Sequence, residues 1–218
     1  MTIFGHGKES DLCRLILLAP IEFFVAVQDA DHLVLAGNDR YQKQTYRNRT
    51  YIQLANKVEA LSIPVIGGNK KVKYQEIKID YKQKWKNVHL RGIRSAYGKA
   101  PFFEYFFPYF ELIYQKDIDN LYRFNFELLT LCLKLMKVKT KVSVAIQEEE
   151  YSPCVDLRGI IVAKEPFEQR NIYQPWKYTQ LFGLDFVPNL SIIDLLFCEG
   201  PMASEIISQS KKKELNNP

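Results

Sequence analysis

The apolar positions of this chain change their spacing several times, and each change marks an element. Leu15-Ile-Leu-Leu18 is a short unbroken apolar run, the pattern of a strand covered on both faces. Pro20 fits the first position of a helix running to about Asp29, with Glu22 in the first turn, where the helix dipole favours an acid. His32 to Ala36 is a second buried-strand pattern, so a compact βαβ unit is expected at the start of the chain. From Tyr51 to Asp80 the spacing is that of strands. Leu61, Ile63 and Val65 alternate, as do Ile77 and Ile79, and Gly67-Gly-Asn69 supplies turn chemistry.

The period becomes helical at Trp85. His89, Ile93, Ala96 and Tyr97 share one helical face, while Arg91 and Arg94 lie on another. Pro101 to Tyr114 is an aromatic cluster interrupted by Pro108, which predicts two short helices or a kink. Asp117 to Val138 is expected as the clearest helix, with Leu121, Phe124, Leu128, Leu131 and Leu135 as its stripe and Lys134 and Lys137 near its end. Val142, Val144 and Ile146 alternate as a strand, the stretch from Glu148 to Gln174 reads as mostly polar loop, and Leu190 to Phe197 is apolar again. The expected fold class is α/β: a small central sheet with a βαβ start, flanking helices and a helix-rich C-terminal half. One domain is expected over residues 13–205, with 1–12 as a disordered leader and 206–218 as a disordered tail.

Composition narrows this picture only a little. With 218 residues and 47% apolar content, the chain can bury a sizeable core as one domain. A formal charge of +5 suits an anionic small ligand, a nucleic acid or an anionic membrane face, and selects none of them. No nucleic-acid-binding signature is visible, so no nucleic acid partner is expected. Cys13, Cys132, Cys154 and Cys198 are widely spaced; Cys132 and Cys198 sit in apolar runs as small hydrophobes, which favours a reducing compartment. The longest apolar stretch, Leu15 to Val27, is interrupted by Glu22 and is shorter than the roughly 20 residues a membrane span takes. No signal peptide is evident, and the expectation is a cytoplasmic protein.

Candidate chemistry concentrates in Tyr41-Gln-Lys-Gln-Thr-Tyr-Arg-Asn-Arg49. These nine residues hold three cations, two tyrosines, three amides and one hydroxyl, flanked by the strand-like runs Leu33 to Ala36 and Leu61 to Val65. A polar segment between core elements is a common place for binding groups. The arginine forks suit phosphate or carboxylate, and Lys43 adds a point charge; a solvated basic hairpin explains the same spacing equally well. The segment follows the second expected strand, at the end of an open parallel sheet where ligands bind. His89 has the chemistry of a proton carrier, although a histidine satisfied by a backbone group is the commoner outcome. Asp194, a carboxylate inside Ile192-Ile-Asp-Leu-Leu196, needs a partner, and Arg49 or Arg91 is expected there. Asn125 on the long helix fits a core hydrogen-bond bridge, and Glu199-Gly-Pro201 reads as a turn. No nucleophile motif, P-loop or dinucleotide fingerprint is present, Gly5-His-Gly7 is too weak a signal to use, and no metal site is expected.

Several longer blocks occur together in order: Ala19-Pro-Ile-Glu-Phe-Phe24, Tyr41 to Arg49, Leu61-Ser-Ile-Pro-Val65, Trp85, His89-Leu-Arg-Gly-Ile93, Ala96-Tyr97, Pro101-Phe-Phe-Glu-Tyr105, and Phe186 to Phe197 closing on Glu199-Gly-Pro201. From about Leu15 to Ser204 this resembles the WbqC-like protein family. The resemblance implies a role in bacterial surface polysaccharide (O-antigen) biosynthesis, with a transferase-type modification of a nucleotide- or phosphate-linked sugar precursor. It carries Arg47, Asn48 and Arg49 over as a basic block and Leu190 to Phe197 as a second block. Many members begin with a histidine-containing strand-to-helix turn, and here Cys13 stands where that histidine would fall.

On this reading His89, Asp194 and Tyr97 are the candidate catalytic residues. Tyr41, Lys43, Arg47, Asn48, Arg49, Asn189 and Glu199 are the candidate ligand contacts, for an anionic small molecule such as a nucleotide sugar. No particular cofactor is implied. The rival reading is a non-catalytic binding or scaffold protein that partners glycan enzymes or itself through the aromatic cluster from Phe102 to Tyr109.

Overall fold

Strand Ser10–Cys13 (β1), helix Ile21–Val27 (α1) and strand His32–Ala36 (β2) begin the chain as a βαβ unit. The computed structural model describes residues 10–68, 71–147, 154–183 and 185–212. After β2 come the hairpin strands Arg49–Leu54 (β3) and Lys57–Ser62 (β4), then the short antiparallel pair Val65–Ile66 (β5) and Lys78–Ile79 (β6). Helices Trp85–Tyr97 (α2), Phe103–Gln115 (α3) and Leu121–Leu135 (α4) follow. Strands Lys141–Ala145 (β7) and Cys154–Asp156 (β8) and helices Ile192–Glu199 (α5) and Ala203–Gln209 (α6) complete the order.

The central sheet runs β7-β2-β1-β8, and each neighbouring pair is parallel. Strand β1 is therefore flanked on one side by β2, reached through α1, and on the other by β8, which arrives much later in the chain. Such a reversal of direction creates a crevice at the carboxyl ends of the strands. The expected α/β class, small sheet and helical second half are all present. No helix among the described residues is long and apolar enough to cross a membrane.

Several boundaries differ from the sequence expectation. The opening strand is Ser10–Cys13, so residues 10–12 belong to the sheet and not to a disordered leader. Leu15 to Leu18, expected as that strand, is a buried turn whose backbone groups bond outside any ladder. Leu17 N–H donates to Tyr46 O at 2.7 Å, and the Thr50 and Ser191 hydroxyls both donate to Leu18 O at 2.8 Å. Leu18 itself has φ 40°, a conformation that a continuing strand does not allow.

Helix α3 passes through Pro108 as a single helix instead of two. Phe103, Phe107 and Phe110 bury one face of it, and Phe103 stacks on Phe107 with ring centroids 4.5 Å apart. Packing on both sides of the proline outweighs the one backbone donor lost. The aromatic cluster is thus largely core. Its exposed members are Tyr105 and Tyr109, joined by Leu112. The long helix begins at Leu121, capped by Asn120, whose side-chain oxygen accepts from Arg123 N–H at 2.8 Å.

The stretch from Glu148 to Gln174, read as loop, contains the fourth sheet strand. A three-residue edge strand paired only with β1 is too short to show a periodicity. The tail is ordered further than expected: α6 reaches Gln209, and Lys212 N–H donates to Ile172 O at 3.0 Å. Gly5-His-Gly7, the rest of the leader and residues 213–218 lie outside the described residues.

Candidate functional site

Three strand ends bring charged side chains to the carboxyl edge of the sheet. Arg14 follows β1, Asp39 follows β2 and Arg158 follows β8. Arg14 Nε donates to Asp39 Oδ2 at 2.5 Å, an Arg47 terminal nitrogen lies 3.7 Å from the same oxygen, and an Arg158 nitrogen lies 3.6 Å from Asp39 Oδ1. Arg158 also grips Asp156 through two of its nitrogens, at 3.0 and 2.7 Å. Asp39 is thus shared by three guanidiniums, and Asp156 is held by one of them, at the edge where the crevice opens. Gly159, with φ 81°, keeps the backbone close to Arg14: a Cβ there would stand 3.1 Å from an Arg14 nitrogen.

A cavity of about 510 Å³ lies against this edge, within the range of small-molecule sites. Its cationic lining is Arg14, Lys43, Arg47 and Lys164, with Glu165 as its acid. Phe23, Ala26 and Val27 on one face of α1 and Ile161, Val162 and Ala163 supply apolar surface, and Gln42, Thr45 and Tyr46 add uncharged polar side chains.

Arg47 is the most unusual member. It is only 4% exposed, its guanidinium lies over the Tyr74 ring at 5.7 Å, and its contact with Gln42 Oε1 is long at 3.4 Å. Its Nε has no hydrogen-bond partner, nor do Tyr41 Oη and Asn48 Oδ1 in the same segment. Burial, and then the neighbouring Arg14, push the Arg47 pKa down from its ordinary value, and burial raises Tyr41 to about 12. Buried polar atoms are normally paired, so an unpaired one on a residue that lines a cavity is chemically informative. Asn125 is the bridge expected from the long helix. Its side-chain nitrogen donates to Arg47 O at 2.7 Å and meets the Tyr74 hydroxyl at 2.5 Å, fixing the Arg47 backbone.

The opposite wall is pinned by a pair the sequence reading did not anticipate. Arg170 forks Glu22 with two bonds of 2.7 Å, while its remaining nitrogen donates to Glu165 O at 3.0 Å and Val162 O at 3.4 Å. One guanidinium thus ties helix α1 to the segment forming the facing wall. Asn189 completes the clamp: its side-chain oxygen accepts from Glu22 N–H at 3.0 Å and its nitrogen donates to Glu22 Oε2 at 3.2 Å. Glu22 is therefore the buried anion of an ion pair as well as a first-turn acid. A carboxylate inside the apolar run from Leu15 to Val27 was the signal for a distant buried cation.

The remaining candidates fall elsewhere. Lys43 and Arg47 line the cavity, whereas Tyr41 and Asn48, in the same segment, do not, and the Asn48 side-chain nitrogen donates to Ile63 O at 3.1 Å. Arg49 begins β3 and donates to the Ser62 hydroxyl at 3.2 Å across the hairpin. Glu199 accepts from Thr179 N–H at 3.0 Å, and neither residue lines the cavity.

His89 is a core residue of α2, 1% exposed, with Nδ1 3.1 Å from the Tyr114 hydroxyl and Nε2 3.0 Å from Ser62 O. Burial pushes its pKa down to about 4. Asp194 is buried in α5, and its partners correct the expectation of Arg49 or Arg91. Its Oδ2 accepts from the Tyr178 hydroxyl and, at 3.1 Å, from Gln180 Nε2, and the Tyr97 hydroxyl bears on the same carboxyl. Burial raises the Asp194 pKa and those hydrogen bonds oppose the rise. Tyr97 and Asp194 are thus brought together, but away from His89 and the cavity.

Cys13 lines the cavity, yet burial drives its thiol pKa far upward, so it is packed as a protonated thiol and is unsuited to nucleophilic attack. Among the described residues no group of three or more His, Cys, Asp or Glu is placed to hold a metal ion.

A curated relative, an uncharacterized protein of Mycobacterium tuberculosis, is 24% identical over 213 residues, covering 85% of this chain and 91% of its own length. No solved structure matches the chain. The profile of the WbqC-like protein family matches residues 17–153 and 161–206, which include the basic segment, both cavity walls and the helices behind them. The chain belongs to the WbqC-like protein family.

Proposed function

We propose that the protein binds a nucleotide- or phosphate-linked sugar precursor in the cavity at the carboxyl edge of the sheet. On this reading it takes part in a transferase-type modification of that precursor during surface-polysaccharide biosynthesis. Arg47 supports the reading most: a buried guanidinium with an unpartnered Nε, lining a cavity already surplus in positive charge. Arg14 and Arg47 offer planar forks to phosphoryl oxygens, and Lys43 and Lys164 add mobile charges at the rim. Arg49, His89, Asp194, Asn189 and Glu199 act from outside the cavity, through the packing that shapes it.

The test is a thermal-shift panel of nucleotide sugars, nucleoside phosphates and pyrophosphate on the wild type and on Lys43→Ala/Lys164→Ala. Both lysines are exposed, so the double variant keeps its unliganded melting temperature. A ligand at 100 times its Kd stabilises the wild type by about 2.7 kcal/mol. Loss of that stabilisation in the double variant supports the site; a flat panel on a folded wild type removes it. The scaffold reading draws on the exposed side chains Tyr105, Tyr109 and Leu112 along α3. It gains weight if self-association disappears in Tyr105→Ser/Tyr109→Ser.

A further inference from the structure

We infer that the ligand carries an acyl group next to its phosphate, and that the cavity recognises that group by its apolar walls. The inference rests on the anion-binding reading above. The cations of the cavity are Arg14, Lys43, Arg47 and Lys164. Phe23, Ala26 and Val27 present one stripe of α1, at the i, i+3 and i+4 positions that share a helical face. Ile161, Val162 and Ala163 form the facing wall, which Arg170 holds in place through Val162 O and Glu165 O.

The uncharged polar side chains of the lining are Gln42, Thr45 and Tyr46. Thr45 Oγ1 donates to Gln42 O at 2.8 Å, and Gln42 Oε1 faces Arg47. These groups and the cations can serve phosphoryl and hydroxyl oxygens, whereas the apolar walls offer such oxygens no partner. A short acyl chain has no such requirement and gains from the same surfaces. The fit is thus to an anion beside an apolar group: a phosphate-bearing carrier with a small acyl substituent. An acyl-coenzyme A thioester and an N-acylated nucleotide sugar both have this chemistry.

Isothermal titration of the full chain with two matched pairs tests the inference: butyryl-coenzyme A against coenzyme A, and UDP-N-acetylglucosamine against UDP-glucose. The acylated member of at least one pair is expected to bind about tenfold tighter or more, as burial of a few carbon groups provides. Which pair responds identifies the source of the acyl group. Ile161→Ser, a change in a half-buried loop residue, is expected to erase that preference. Equal affinities within both pairs would overturn the acyl inference and leave anion binding intact. Failure of all four ligands and of pyrophosphate would remove both.

Discussion

Arg47 and His89 are both buried polar side chains in apolar surroundings, and their environments divide the molecule into two kinds of interior. Around His89 both ring nitrogens are engaged, Trp85 packs on it edge to face and Tyr114 at a tilt, and Phe124 packs against both of those rings, with the Trp85 indole nitrogen as the group left unpaired. Around Arg47 the guanidinium is held by long contacts, one nitrogen is unpaired, and a cavity begins. A histidine whose hydrogen bonds are met inside a dry aromatic cage is a packing element. An arginine that keeps bonding capacity beside a cavity has the chemistry to take a ligand's oxygens. The two side chains differ in the company of their unpaired atoms: the one beside His89 is enclosed by rings, and the one on Arg47 belongs to a residue that lines a cavity.

The largest expected effect comes from the pair that braces the cavity side. Arg170→Met leaves the Glu22 carboxylate, fully buried, without its cation. Removal of one partner from a buried ion pair typically costs about 3–5 kcal/mol, read here by urea denaturation. A cost below about 1 kcal/mol would mean the wall is not held by this clamp.

The cage around His89 makes a prediction in pH. Its folded pKa of about 4 lies below the ordinary 6.5, so the unfolded chain takes up the proton first as pH falls. The stabilisation is complete above pH 6.5 and disappears as pH drops towards 4, a change on the order of 3 kcal/mol. His89→Gln is expected to flatten the stability-versus-pH slope in that window relative to wild type. Identical slopes would contradict the neutral, caged histidine.

Arg47→Met makes the opposite test and has the smallest effect on stability. It keeps the apolar stem and removes a guanidinium that has few good bonds, while Asp39 retains Arg14 and Arg158. The expected cost is within about 1 kcal/mol, alongside complete loss of the phosphate-ligand thermal shift. A large destabilisation with binding retained would place Arg47 with His89 among the packing residues.

Much of the scaffold was legible in the chain. The buried strand His32–Ala36, the strands between Arg49 and Ile79 and the helices from Trp85 onward follow apolar spacing, which depends on local periodicity. The apolar run Leu15 to Leu18 misled because burial on all sides looks the same for a strand and for a turn tied to Tyr46, Thr50 and Ser191. Lys43 and Arg47 were visible as cations in a polar segment between core elements. Arg14, Lys164 and Arg170 were not, because each looks like an ordinary surface charge until the chain is folded.

Periodicity and composition by themselves determined an α/β chain with a βαβ start, a helical second half and a basic segment after the second strand. Tertiary structure alone decided which cations meet. Arg14, Arg47 and Arg158 converge on Asp39 because parallel pairing sets the carboxyl ends of β1, β2 and β8 side by side, although β8 lies more than a hundred residues beyond β2. Charge is written along the chain, but a binding site needs charges within a few ångströms, and long-range strand pairing supplies that proximity.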